Sequence, residues 1–596
     1  MWKAEKLYYG QSEYTQGRAY KGEELVWIAP TTLIYKTSDN QQITPYNTSG
    51  LDAVIIRQYS HYDTRTRTTL WVMLFDRPLT RIDNDAFYNK YQLTYVGIPA
   101  TVTTIDNNAF KNCTGLTKVD FPSALTTLDN YAFSGCRNIT SVDLSETSLT
   151  SIGDYVFEGC TIADVKLPST LTTVGDYAFD GCHFSSLPSS ITTIGNHSFS
   201  GCSFSSSVEL PSSLTTIGRY AFSDCTDFSY ELPSSLTAIG DYAFYGCGYT
   251  SVNIPANVTS IGTNPFINCV NLESITVDSN NAAFYDGGGN CIIYRNTDDL
   301  VTGCSRTVIP STVVNINDDA FYNVAFDAPA IVIPESVRSI GNSFMTPAGY
   351  DLNIIIEGQY TNVEMNSFYL ISGNTMTIAI NSNYYDDYMY YTTVSDWSYY
   401  SQYMIAYMKY SATQQVEPAS GTDFGTGVNY LGVKYFNPDG YLLFNKPPTK
   451  IGASAFSGKF RMTSIEIPST VINIGQNAFY NNRMTSVTFN DGIQTIDANA
   501  FYTTWGKLTT LVLPSTVTSI GQGAFIIDDN GIVRLRDITI YATTPPALTG
   551  GFPFAFQGSS QTMTIYVPAA SLTAYQTTGV WGSVYNNYPN IYQPIQ

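Results

Sequence analysis

The sequence predicts a solenoid of stacked repeats built from short parallel strands, and three observations predict it. First, one nine-residue phrase, "IGDYVFEGC", "VGDYAFDGC", "IGNHSFSGC", "IGRYAFSDC", "IGDYAFYGC", keeps returning between Ile152 and Cys247. Second, its phenylalanine is evenly spaced at Phe87, Phe110, Phe133, Phe157, Phe179, Phe199, Phe222, Phe244 and Phe266, then at Phe321 and Phe344, and again at Phe456, Phe479, Phe501 and Phe525. Third, the stretches between carry an apolar alternation closed by proline, as in "LTKVDFP" (Leu116 to Pro122) and "MTSIEIP" (Met462 to Pro468). Alternation that is rich in β-branched residues and stopped by proline reads as a short strand with one buried face. One such unit cannot bury its own apolar face, so neighbours must share a core.

Each repeat therefore reads as strand, proline turn, a "SSLTTIG" connection and a short "AFxxC" turn. Residues 1–78 are expected to close the sheet edge that a bare solenoid end would expose. Residues 79–345 form a first array with a hairpin inserted near 280–305. There "IIYRNTDDLVTG" places two apolar runs around a polar centre, between Cys291 and Cys304. Residues 346–440 match nothing in the repeat and are rich in tyrosine. Residues 441–535 form a second array, and 536–596 a C-terminal repeat or cap. "LFDRPLTRIDNDAF" (Leu74 to Phe87) and "LFNKPPTKIGASAF" (Leu443 to Phe456) align without a gap, so each array has its own opening.

The wording "SIGDYAFxGCxxLTSVxIPSSVTSIG" resembles the BspA-like leucine-rich-repeat proteins, cell-surface proteins of gut and oral bacteria that are also abundant in some mucosal protists. The resemblance covers roughly residues 74 to 345 and 441 to 540. Two flanks share it: "IYKTSDNQQITPYN" (Ile34 to Asn47) and "YATTPPAL" through "IYVPAASLTAYQ" (Tyr541 to Gln576). It implies a right-handed leucine-rich-repeat solenoid with short helical or 3-10 turns. It also implies binding to matrix proteins, mucosal glycoproteins or other bacteria.

Cys113, Cys136, Cys160, Cys182, Cys202, Cys225, Cys247 and Cys269 each stand three residues after a repeat phenylalanine and form one ladder. Equivalent positions stack at about 4.8 Å with parallel side chains, an awkward arrangement for a disulfide torsion. C-x-x-C spacing is absent, and His61, His183 and His197 are scattered, so the ladder reads as buried, reduced thiols rather than a metal site. Cys291 and Cys304 are either a hairpin disulfide or two unlinked hairpin thiols.

Charged residues make up 13% of the chain and the net charge is −20, a balance that repels nucleic acid and anionic membranes. No apolar run approaches the roughly 20 residues of a membrane span. The start "MWKAEKLYYGQ" has no apolar core of a signal peptide, so the export signal is expected to be missing from this sequence. No catalytic constellation, metal site or cofactor motif stands out, and the chain is not expected to be an enzyme.

Two features are candidates for binding a protein or glycan. The first is the polar residue in the middle of each strand, which stacking would line up as Asp120, Asp143, Lys166, Glu209, Glu231, Asn253 and Thr276, then Glu466 and Thr488. Its carboxylates predict an acidic strip open to a cation or a basic partner. The second is "NYYDDYMYYTTVSDWSYYSQYMIAYMKY" (Asn383 to Tyr410), with Tyr388, Tyr391, Trp397 and Tyr400 as the foremost candidates. Within it Tyr403, Tyr407 and Tyr410 keep helical spacing after a capping Asp396. The reading is an extracellular recognition or adhesion protein. A bacteriophage virion component recognising its host surface, and a structural or assembly protein, stand as alternatives.

Overall fold

The computed structural model describes residues 19–21, 24–27, 31–46, 51–63, 68–345 less 161, 207, 329 and 343, 352–384 less 360–361, 364–367 and 370–375, 404–550 less 437, 504–506, 527, 530–531 and 534, and 563–595 less 588–589. The chain divides into two compact units, Met1–Ala325 with Gly341–Pro347, and Phe326–Ile340 with Ala348–Gln596.

The first unit is a parallel-strand solenoid, and each turn of it contains two strands rather than one. The predicted strand is present: Ser141–Asp143, Asp164–Lys166, His183–Phe184 and Ser203–Phe204 pair in parallel in that order. The "TTIG" stretch, expected to be a connection, forms a second parallel ladder: Ser151–Ile152, Thr173–Val174, Thr193–Ile194, Thr216–Ile217, Ala238–Ile239 and Ser260–Ile261. Two-residue strands carry too little alternation to be visible as such. What fixes them is their position in the stack, where the inward Ile152, Val174, Ile194 and Ile217 are buried.

The "AFxxC" segment is a tight turn, not a helix. It kinks at two left-handed residues, for instance Tyr131 (φ 59°) and Gly135 (φ 76°), which a helix cannot contain. Its main chain nevertheless joins the stack, since the Phe110 amide donates to Ala132 O at 2.8 Å and the Phe222 amide to Ala243 O at 2.8 Å. Helix occurs, among the described residues, near the C-terminus, at Leu572–Thr577 and Gly579–Asn587 with a 3-10 turn at Ala569–Ser571. No helix of the described residues is long and apolar enough to cross a membrane.

Inside, the repeat phenylalanines stack face to face from Phe87 to Phe266. The first pair, Phe87 and Phe110, is 5.0 Å apart, and the widest step, Phe179 to Phe199, is 5.9 Å. The eight ladder cysteines are buried and reduced, and they do more than fill space. Seven thiols donate to the carbonyl of the phenylalanine one turn back, with Cys202 Sγ 2.9 Å from Phe179 O and Cys247 Sγ 3.0 Å from Phe222 O. Cys182 is the exception, reaching only Cys160 O and Asp180 O at 3.9 Å. In the second unit Asn482 takes the same place and donates to Phe456 O at 2.9 Å, so the position selects a small hydrogen-bond donor. Burial pushes the Cys182 thiol up to about 12, which keeps it protonated.

The inserted hairpin is present as Cys291–Tyr294 against Asp299–Gly303. Even with a bulge between Ile292 and Ile293, the residue opposite Cys291 is Gly303 and not Cys304. The candidate disulfide is not formed. The two buried thiols point at different carbonyls, Asp286 O at 3.6 Å and Asn290 O at 3.4 Å.

In the second unit, Ile331–Ile333, Leu352–Ile356 and Met376–Asn381 run in parallel, so the segment that matched no repeat continues a ladder. Its strands "LNIII" and "MTIAIN" hid the period because Ile355 and Ala379, on the opposite face from Ile354 and Ile378, are buried as well. The predicted helix around Tyr407 and Tyr410 is a strand, Met404–Ala412. That strand runs parallel to Met376–Asn381 and antiparallel to Asp439–Phe444 and Met462–Ile467, so strand polarity reverses across it. One ladder ends there and another must be started.

The way it is started repeats the N-terminal lead-in. Thr32–Thr37 is antiparallel to Thr68–Phe75 and to Leu93–Gly97, with Ile55–Asp63 outside, and Tyr35 stands opposite Trp71 and Val96. Met404–Ala412 is likewise antiparallel to Asp439–Phe444 and to Met462–Ile467, with Tyr430–Phe436 outside, and Tyr410 stands opposite Gly440 and Ile465. Both tyrosines use the hydroxyl to accept a backbone amide, from Ile43 at 3.2 Å and from Val416 at 2.9 Å. Burial pushes each phenol up to about 12. The helical spacing of Tyr407 and Tyr410 was thus a coincidence within a buried strand.

A core cluster made wholly of residues between Ala406 and Tyr592 lies behind this second opening. A chain limited to Met404–Gln596 is therefore expected to fold alone and melt in one cooperative transition, monitored by circular dichroism. Non-cooperative melting of that fragment would show that the opening cannot start a ladder by itself.

Candidate recognition surface

The outward residues of the first-unit strands make a face of mixed charge. Register places Tyr95 beside Lys118 and Gly97 beside Asp120, then Ser141 beside Asp164 and Asp143 beside Lys166. Lys118 Nζ lies 3.1 Å from Asp120 Oδ1, and the Tyr95 hydroxyl donates to Asp120 Oδ2 at 2.5 Å. Lys166 Nζ lies 3.5 Å from Asp143 Oδ2. Burial works to raise the Asp143 carboxyl, but the Ser145 hydroxyl and amide, together with Lys166, outweigh it and hold the group below the usual range.

This corrects the expected acidic strip. Glu209 and Glu231 are exposed but lie outside the strands, so they do not extend the column. In the Phe179 and Phe199 repeats the outward strand residues are His183 and Ser203, joined Nδ1 to Oγ at 2.9 Å. Farther along, Thr276 Oγ1 donates to Asn253 Oδ1 at 2.9 Å. In the second unit Glu466 accepts from Asn383 at 2.9 Å and Asn490 at 3.1 Å. Asp120, Asp143 and Glu466 are met by lysines, amides and hydroxyls, and no group of three metal-ligating side chains occurs among the described residues. Tyr388, Tyr391, Trp397 and Tyr400 lie outside the described residues.

A second surface went unread in the sequence. Tyr131, Tyr155, Tyr177, His197, Tyr220 and Tyr242, each two residues before a repeat phenylalanine, stack ring on ring. The centroids are 4.6, 4.7, 4.3, 4.8 and 4.9 Å apart in that order. All six are half-buried and left-handed, with φ between 51° and 59°. Such a backbone costs a residue with a side chain about 1–2 kcal/mol, and an aromatic pair returns about 0.5–1.5 kcal/mol, so the stack largely offsets the strain. The signal was the "NY", "DY", "NH" and "RY" before each "AF", "VF" or "SF". Because the rings face one another, they leave no open face for a sugar between Tyr131 and Tyr242.

His197 makes the ladder sensitive to pH. Burial first, and then the nearby Arg219 guanidinium, lower its pKa, while Asp180 and Asp176 act the other way. The folded chain therefore prefers neutral imidazole. Its contribution to stability is complete above the unfolded value of about 6.5 and is lost as pH falls below that value through the folded one. The melting temperature is expected to drop below about pH 6.5, and His197→Tyr is expected to remove part of that drop. An identical pH profile for the variant would rule the histidine out.

The model of the BspA type leucine rich repeat region matches residues 55–186, 183–287, 301–412 and 449–574. The chain belongs to that family. Among solved structures it is similar to a leucine-rich repeat protein from Bacteroides ovatus, at 20% identity over 78% of this chain and 82% of that one, with a TM-score of 0.34. It is also similar to a leucine rich cell surface protein from Faecalibacterium prausnitzii, at 20% identity over 84% and 95% of the two chains, with a TM-score of 0.26. The leucine-rich repeat protein of Treponema pallidum is 24% identical over 33% of this chain and 73% of that one, with a TM-score of 0.21. No curated protein matches the chain. In this leucine-rich-repeat chain the inward repeat positions are nearly constant, while the outward strand positions change from turn to turn.

Proposed function

We propose that this BspA-type repeat protein is a non-catalytic recognition protein of the cell surface or extracellular space, and that it holds a protein or glycan partner on the exposed strand face of its first unit. The observation that carries this reading is the contrast between the two sides of one strand. Inward, Val119, Val142 and Val165 repeat the same buried residue; outward, the pair changes from Lys118 and Asp120 to Ser141 and Asp143 and then to Asp164 and Lys166. A scaffold that keeps its core and varies its surface presents a rigid, specific pattern of charge. Alternating charges favour a polar partner whose own charges interleave with them.

A glycan- and matrix-protein array probed with the purified chain tests the proposal. Saturable capture of a small set of ligands, returned chemically unchanged, is the expected result. Turnover of any captured glycan would overturn the non-catalytic reading.

A further inference from the structure

Within the aromatic ladder of the first unit, one pair of tyrosines differs from the rest. The Lys111 ammonium sits 4.1 Å over the Tyr131 ring, and the Arg219 guanidinium lies 5.1 Å from the Tyr220 ring and 6.0 Å from that of Tyr242. Among the described residues no cation is found over Tyr155 or Tyr177, whose rings are 4.7 Å apart and within 8° of parallel. The Asp176 and Glu158 carboxylates act electrostatically on the Tyr155 phenol. A nearby cation opposes removal of an electron from an aromatic ring and a nearby carboxylate assists it. Both rings are half-exposed, within reach of a diffusing oxidant.

We propose that Tyr155 and Tyr177 are a site of oxidative cross-linking, at which a peroxide-driven one-electron oxidant joins two successive turns of the solenoid through a carbon–carbon bond. Each phenol gives up one electron and its hydroxyl proton. The two radicals pair between ring carbons ortho to the oxygens, and the hydrogens on those carbons move to the oxygens and restore both aromatic systems. Overall, two phenols and one hydrogen peroxide yield one dityrosine and two waters. His197 stacks on the far side of Tyr177 at 4.3 Å and has no phenol to couple, so Tyr177 has Tyr155 as its one stacked phenol, while the other neighbour of Tyr155, Tyr131 at 4.6 Å, lies under the Lys111 ammonium. The phenylalanine stack within, 5.0 Å apart at Phe110 and Phe133, is buried and has no hydroxyl hydrogen to lose.

The test is to treat the dilute full-length chain with a haem peroxidase and hydrogen peroxide, isolate the monomer, and map its peptides by mass spectrometry. The expected product has lost two hydrogens and joins the peptides of Tyr155 and Tyr177. It is expected to be absent from Tyr155→Phe and Tyr177→Phe, which keep a ring in the stack, absent in denaturant, and retained in Tyr131→Phe. Dityrosine found only in covalent dimers, or mapped to other pairs among the 46 tyrosines, or undiminished by Tyr155→Phe, would overturn the assignment.

Discussion

Replacing Phe222 by alanine is expected to destabilise the first unit by about 3–5 kcal/mol, the usual cost of deleting a fully buried aromatic ring. Phe222 is wholly buried and packs against Phe199 at 5.5 Å, Phe244 at 5.7 Å and Phe228 at 4.4 Å. The cavity could not close easily, because each neighbouring ring is held by the next ring in the stack. In a solenoid each turn touches only its neighbours, so the damage should stay local. Native-state hydrogen exchange should show lost protection near Phe199, Phe222 and Phe244 and little change near Phe479 and Phe501. Uniform loss along the whole chain would mean that the repeats do not behave as nearest-neighbour units.

The second large effect concerns binding. Asp120→Asn with Asp143→Asn is expected to weaken capture of an array ligand at least about tenfold, as expected for residues at the centre of an interface. The melting temperature should hardly move, since exposed ion pairs such as Lys166 with Asp143 contribute about 0–1 kcal/mol. Affinity should also fall with added salt, because the groups are solvent-exposed. Replacing Tyr388, Tyr391 and Tyr400 together by serine is the comparison. If that triple variant loses the ligand while the double variant binds like wild type, the strand face is the wrong surface.

The repeat itself was legible because it has a long period and a bulky residue that cannot be placed outside. Phe87 to Phe266 and the cysteine ladder could be read straight into a stacked core. What resisted reading was short or unusually apolar. Thr173–Val174 is a strand only because Ser151–Ile152 and Thr193–Ile194 flank it. Leu352–Ile356 is apolar on both faces, and so lost its alternation. The second opening carried a signal all the same: "QQVEP" after Tyr410 echoes "QQITP" after Tyr35. The acidic strip failed for another reason. Counting one residue per strand gave its carboxylates, but Lys118, two positions from Asp120 on the same face, supplies the opposing charge. Charge balance on a sheet face is set by the residues two positions away on the same strand as well as by partners across the ladder, and a column of one residue per strand leaves the former out.

On the proposed reading, the exposed strand face of the first unit holds the partner. Covalent footprinting of lysines and carboxyls, with and without a ligand identified on the array, tests it most directly. Lys118, Asp143, Asp164 and Lys166 are expected to become protected together when the ligand is bound, while Arg219 and Asp241 beside the aromatic ladder stay reactive. Unchanged labelling of those four residues under saturating ligand, with protection elsewhere on the chain, would contradict it.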